Sequence, residues 1–159
     1  MKKYAFIITV LSIAEVLAED LVKLTDLVKL ANLDAQCVRC ICYAATGCDL
    51  TRGCVDGYCG PFKISKIYWV DAGEELLPND EKKRPEAYED CALYYNCAYR
   101  SAVNYFTKYG KDCNEDGVTN CVDYAMIHFN GGWQCQPALN RTKAGKAYLE
   151  RYRLCDPVI

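Results

Sequence analysis

Twelve cysteines stand in this 159-residue chain beside a single histidine, His128, and that imbalance limits what the cysteines can do. Cys37-x2-Cys40-x-Cys42 has the tight spacing of a zinc cluster, but zinc centres draw on four Cys or His ligands and a lone histidine offers little support. Disulfide pairing is the stronger reading. A second pattern, Asp112-x-Asn114-x-Asp116-Gly117 followed by Asp123, matches positions 1, 3, 5, 6 and 12 of a calcium loop. Its last ligand is Asp where Glu is usual and Cys113 and Cys121 fall inside it, so a bridged turn without metal fits the same residues. A third is nucleophilic: Ser65 with His128, or with Lys63 or Lys66, could form a nucleophile and base for amide cleavage. No third orienting group stands out, and a histidine before Asn130-Gly131-Gly132 also suits a hydrogen-bonded helix end.

These groups must be positioned by a small oxidised domain. Lys2 and Lys3 precede an almost wholly apolar run from Tyr4 to Ala14, too short to span a bilayer and of the length of a secretory signal. Val16-Leu17-Ala18 suits cleavage after Ala18, so residues 1–18 read as a signal peptide and all twelve cysteines remain in the exported chain. Six disulfides are therefore expected, joining Cys37, Cys40, Cys42, Cys48, Cys54, Cys59, Cys91, Cys97, Cys113, Cys121, Cys135 and Cys155 in a pairing the spacing does not specify. No cofactor is required by this reading; a structural calcium is the one candidate. A net charge of -2 disfavours a nucleic-acid partner. No later stretch suits a membrane anchor, and a monomer is expected. Asn140-Arg141-Thr142 is a glycosylation acceptor.

Residues 19–36 echo Asp20-Leu-Val-Lys-Leu in Asp26-Leu-Val-Lys-Leu30, which reads as a short amphipathic N-terminal arm or propeptide. The domain proper is expected over 37–159. Its first 24 residues hold six cysteines, a stapled lobe with room for one short helix. Phe62 to Asp71 is rich in β-branched and aromatic residues and predicts a strand or hairpin; Glu74 to Arg84 predicts a charged loop. Cys91, Tyr95, Ala98, Ala102, Phe106 and Tyr109 give one apolar stripe and predict a single helix over 86–109, stopped by Gly110. Two further helices are expected over 122–129 and 142–152. The class is α+β, mainly helical with a small β-sheet.

The ordered series Cys37-Val-Arg-Cys40-Ile-Cys42, Thr46-Gly47-Cys48, Gly53-Cys54, Cys59-Gly60-Pro-Phe62-Lys-Ile64, Tyr68-Trp69-Val-Asp71, Asn104 to Gly110 and His128-Phe-Asn130-Gly131-Gly132 resembles the invertebrate-type lysozymes, also called the destabilase family, and their insect members in particular. The resemblance implies a lysozyme-like fold with a cleft for the β-1,4 amino-sugar chains of bacterial peptidoglycan or a related chitin-like glycan, used in defence or digestion. It also implies an alternative, since some leech relatives resemble isopeptidases that cut glutamyl-lysine crosslinks. Tyr68, Trp69 and Trp133 become candidates for stacking on sugar faces.

Glycoside hydrolysis needs a carboxylic acid to protonate the leaving oxygen and a second carboxylate to act as nucleophile or to stabilise positive charge. The resemblance places the first as a Glu three residues after the third cysteine of the opening run, and here that position is Ala45. It places the second three residues after the equivalent of Cys54, whereas Asp56 stands one position early in a shortened loop. Asp49 and Asp71 are the other nearby acids, in contexts that suit solvated or turn-capping roles. Weak or absent muramidase activity is therefore expected. Relatives often carry cysteines at the positions of Ala72 and Ser101, so the resemblance implies that these two residues lie close in space.

Overall fold

A computed structural model describes residues 32–155; the expected signal peptide and most of the N-terminal arm lie outside the described residues. Helix α1 (Ala35–Thr46) begins two residues before the expected domain start. Its first turn is capped by Asp34, whose Oδ1 accepts the Cys37 N–H at 2.7 Å, and that satisfies one of the orphan donors at a helix N-terminus. Gly47 ends it at φ +76°, donating its N–H to the carbonyls of Cys42 and Tyr43. The buried face of α1 carries Val38, Ile41 and Ala44 together with Cys37, Cys40 and Cys42.

Those three cysteines go to three different partners, which removes any basis for a zinc cluster. Cys37 pairs with Cys121, Cys40 with Cys155 and Cys42 with Cys48; the remaining bridges are Cys54–Cys59, Cys91–Cys97 and Cys113–Cys135. All six expected bridges are present. Two of them bolt α1 to the elements that end the chain, and α1 packs most extensively on the last helix. Bridges closing such long loops restrict the unfolded chain most, each contributing about 2–4 kcal/mol.

The small sheet is antiparallel in the order β1 (Cys54–Val55), β2 (Tyr58–Cys59), β3 (Ile64–Ser65). Cys54 faces Cys59, and Tyr58 faces both Val55 and Ser65. The expected strand or hairpin over 62–71 is corrected: only Ile64 and Ser65 pair in the sheet, and Lys66–Asp71 forms helix α2. Ser65 makes the switch, its Oγ accepting the Tyr68 N–H at 3.2 Å as an N-cap. Burial then follows helical spacing, with Tyr68 and Trp69 inside and Ile67 and Val70 outside, so packing overrides the β-prone composition.

The single helix expected over 86–109 is also corrected. It is two helices, α3 (Ala87–Leu93) and α4 (Tyr95–Tyr109), separated at Tyr94, whose backbone is extended (φ -90°, ψ 114°). The Cys91–Cys97 bridge straddles the break. Gly110 stops α4 as expected, its N–H reaching the Phe106 carbonyl. Helix α5 (Cys121–Asn130) starts in a capping box of Asn120 and Asp123, and α6 (Lys143–Cys155) follows a short 3-10 turn, Leu139–Arg141. Fully buried Phe62, Phe106, Ile41, Ile64 and Ile127 join all these elements in one core. Ala72 and Ser101 are both buried, at the end of α2 and within α4; these helices touch and are tied by an ion pair from Lys108 to Asp71. Among the described residues no helix is long and apolar enough to cross a membrane.

Candidate functional site

A groove runs between the small sheet, α5 and α6. It consists of two adjoining cavities, of about 490 and 400 Å3, that share Tyr58, Lys63, His128 and Phe129. The hairpin supplies Tyr58 and Lys63, and α5 supplies His128 and Phe129. The larger cavity continues along Ser65, Tyr68, Asp71 and Tyr105 to Gly132 and Trp133; the smaller turns towards Ala45 and the Tyr148 face of α6.

The floor is a line of bonded rings. His128 Nε2 lies 2.9 Å from the Phe62 carbonyl, which can only accept, so that nitrogen carries the proton; Nδ1 is then free to accept the Tyr68 hydroxyl at 3.3 Å. Tyr68 stacks on Tyr105 with centroids 3.7 Å apart, and the Tyr105 hydroxyl accepts the Gly132 N–H at 2.9 Å. Burial in this apolar setting pushes the His128 imidazole down to about 4, against the pull of the Phe62 carbonyl, and pushes the Tyr68 phenol well up. Both are neutral at physiological pH. His128 is thus fixed in tautomer and orientation, a positioning element with no proton to give.

Ser65 lies in the same cavity, but its Oγ is engaged by the Tyr68 N–H and both His128 nitrogens are bonded elsewhere. The expected Ser65–His128 nucleophile pair is therefore not assembled in this arrangement. Ala45 is where the sequence comparison leads, on the wall of the smaller cavity. Among the described residues lining that cavity there is no Asp or Glu; its charged members are Lys63 and Arg151. Asp56 sits at the tip of the β1–β2 turn at φ +53°, exposed, and lines neither cavity. Asp71, on the rim of the larger one, is held 3.1 Å from Lys108 Nζ. Asp49 accepts the Thr51 N–H and hydroxyl, which lower its carboxyl. No pair of carboxylates faces across the groove among the described residues.

Trp69 is a correction. It is 2% exposed and its indole N–H donates to the Glu75 carbonyl at 2.7 Å, which makes it a core residue. Trp133 is 80% exposed at the groove end and backed by Tyr109. The calcium pattern folds into a tight loop whose side chains bond its own backbone: Asp112 accepts from Asp116 and Gly117, Asn114 from Asp116, and Asp116 from Val118. Asp123 is fully buried and accepts the N–H groups of Cys113, Asn114 and Asn120. Among the described residues no three His, Cys, Asp or Glu side chains converge as a metal site. Asn140 is exposed on the 3-10 turn.

Tyr58, Tyr105, Tyr148 and Arg151 were not singled out from sequence. A signal existed for the last two: Ala144, Ala147, Tyr148 and Arg151 recur at steps of three and four along one face of α6, and the small alanines leave the hollow into which the larger side chains reach.

Comparison with known proteins fits this geometry. The destabilase family model matches residues 34–155. A lysozyme of Ostrea edulis is 39% identical over 101 residues, which span 60% of this chain and 64% of the relative's length. Invertebrate-type lysozyme 3 of Caenorhabditis elegans is 31% identical over 112 residues, 67% of this chain and 78% of its own. Among solved structures, Meretrix lusoria lysozyme in complex with Aeromonas hydrophila PliI superposes with a TM-score of 0.58 at 25% identity, covering 80% of this chain and 96% of the other. Tapes japonica lysozyme gives 0.56 at 22% identity, over 79% and 95%, a likeness of fold. The paired cysteines, the mainly helical fold with its three-stranded sheet and the family match over nearly all the described residues together show that the chain belongs to the destabilase family of invertebrate-type lysozymes.

Proposed function

We propose that this protein is a secreted glycan-binding member of its family that holds bacterial peptidoglycan in the groove with weak or absent muramidase activity. The observation that carries the reading is the wall around Ala45, where none of the lining side chains is a carboxylic acid and the charged ones, Lys63 and Arg151, are cationic. Removing a general acid commonly costs about 10² to 10⁴ in rate. Neutral His128 offers no replacement, and Asp56 at its hairpin tip lies outside the groove lining.

What remains suits binding. Trp133 gives an exposed aromatic face, and Tyr58 and Asn130 offer polar groups along the same cavity. Ligand grooves typically combine apolar walls with a few placed polar groups. The engaged Ser65 hydroxyl supports the glycan reading over isopeptide cleavage. Two measurements on one preparation test it: sedimentation with insoluble peptidoglycan and clearing of a bacterial suspension. Binding without clearing is expected. Clearing at the rate of an active lysozyme, or failure to sediment, overturns the proposal.

A further inference from the structure

The cavity beside Ala45 contains donors without an acceptor. Tyr148 is 3% exposed, and its hydroxyl oxygen is buried in the cavity wall with no hydrogen-bond partner. A buried polar group left in that state is uncommon and calls for a partner. The surrounding side chains do not supply one. Arg151 and Lys63 are donors only, both nitrogens of His128 are bonded elsewhere, the half-exposed Tyr58 makes no hydrogen bond to Tyr148, and the remaining wall is Ala45, Phe129, Ala144 and Ala147.

Arg151 is also pre-set. Its Nε donates to the Ala44 carbonyl at 2.6 Å, at the C-terminal end of α1, which anchors the guanidinium on the cavity wall. Among the described residues no carboxylate lies within ion-pair distance of Arg151 or Lys63, whereas Lys82, Arg84, Arg100 and Lys108 all have one. Two unneutralised cations and an orphan hydroxyl around a cavity of about 400 Å3 define the complement of an anion with several lone pairs. Carboxylates match the planar guanidinium fork in shape as well as charge.

We propose that this cavity binds a carboxylate of the glycan, with Arg151 and Lys63 as its charge partners and the Tyr148 hydroxyl as a further donor, so that the groove selects acidic amino-sugar chains over neutral ones. The proposal rests on the glycan reading and deepens it. In peptidoglycan the carboxylate is either the lactyl group of a muramic residue or an acid of the attached peptide; chitin has neither.

Isothermal titration of the full secreted chain with three tetrasaccharides tests the proposal: chitotetraose, a peptide-free muramic tetrasaccharide with free lactyl carboxylates, and the same glycan bearing peptides. Wild type is expected to bind an acidic ligand at least about tenfold more tightly than chitotetraose. Preference for the peptide-free form identifies the lactyl group, and preference for the peptide-bearing form identifies the peptide acid. Tyr148→Phe and Arg151→Gln are each expected to lower the acidic-to-neutral affinity ratio severalfold. Ala45→Glu, which supplies an internal carboxylate, lowers the same ratio without removing a donor, and so keeps the test available if Arg151→Gln folds poorly. An acidic-to-neutral ratio near one in wild type, or an unchanged ratio in both Tyr148→Phe and Ala45→Glu, overturns the proposal while leaving the glycan reading intact. No binding of any of the three ligands overturns both.

Discussion

The two ends of the groove are built on opposite principles. At one end Trp133 stands almost fully exposed on a glycine turn, backed by Tyr109 at 6.0 Å between centroids, with Lys111 fixing its carbonyl. The nearby Asp71 and Lys108 neutralise each other. That end is an open, locally neutral surface suited to the apolar face of a sugar ring. At the other end the Ala45 cavity is concave and electropositive, and holds the orphan Tyr148 hydroxyl. Tyr58, Lys63, His128 and Phe129 belong to both. The contrast lies in what each end offers a ligand: an exposed aromatic face at one, and cationic side chains with no carboxylate at the other.

The largest predicted effect strikes the element common to both ends. Gly60 has φ +71°, and a Cβ there would lie 1.8 Å from the Ala92 carbonyl oxygen of α3. Backbone cannot yield that distance cheaply, so Gly60→Ala must lift the hairpin carrying Tyr58 and Lys63 off the helix. A loss of about 4 kcal/mol is expected, in the upper range for single substitutions, read from denaturant midpoints with the disulfides intact. Affinity for neutral and acidic glycans should fall together. Loss at one end alone would show that the hairpin does not couple them.

The second effect comes from acid. His128 titrates near its ordinary 6.5 when unfolded and at about 4 when buried. Between those values the unfolded chain binds a proton that the native state refuses. Stability is therefore full above pH 6.5 and declines as pH falls towards 4, by about 3 kcal/mol from this residue. His128→Gln should flatten that part of the stability profile. An unchanged acid slope in the variant would mean that the ring is not held neutral between the Phe62 carbonyl and the Tyr68 hydroxyl.

Much of the fold was legible because its strongest signals are covalent or local. The cysteine count, the Gly110 stop and the final helices are all visible in the residues themselves, and the resemblance added the arrangement. The errors fall where a short polar cap or a distant partner decides. Ser65 turns a β-prone run into α2 after two paired residues. Tyr94 breaks an apolar stripe that looks continuous in sequence, because the bridge from Cys91 to Cys97 closes across it. Asp56-Gly57 is a strong hairpin signal, yet in the alignment of motifs it reads as a shortened catalytic loop. The site was harder still. Trp69 and Trp133 are chemically identical candidates, and only the fold separates them, burying the first against Tyr88 with its indole N–H on the Glu75 carbonyl. Tyr148 and Arg151 reach Ala45 across more than a hundred residues, a distance that local pattern cannot bridge.

A third prediction isolates the neutral end. Trp133→Ala removes a side chain that is 80% exposed and contributes little to the core, so folding should be preserved. If one face of the indole covers about 80 Å2 of sugar and itself, the lost burial is worth about 2 kcal/mol, or about thirtyfold in affinity. Chitotetraose and acidic tetrasaccharide should weaken by the same factor. A change restricted to the acidic ligand would reverse the assignment of the two ends.

The smallest effect concerns Lys63, at the junction of the two cavities. Its ammonium lies 5.5 Å from the centroid of Tyr58, a cation–π contact worth about 0.5–1 kcal/mol at an exposed site. Being exposed, it acts on a bound carboxylate through solvent, where the Debye length is about 8 Å at physiological ionic strength. Lys63→Gln should therefore weaken acidic glycan only about threefold at low salt, and that difference should shrink towards nothing as salt is raised. Arg151→Gln should retain most of its effect, because its partner oxygen is held inside the cavity where ions screen poorly. Equal salt sensitivity of the two variants would place the ligand's charge at the groove mouth, and the distinction between a neutral end and a cationic one would then have to be redrawn around Lys63.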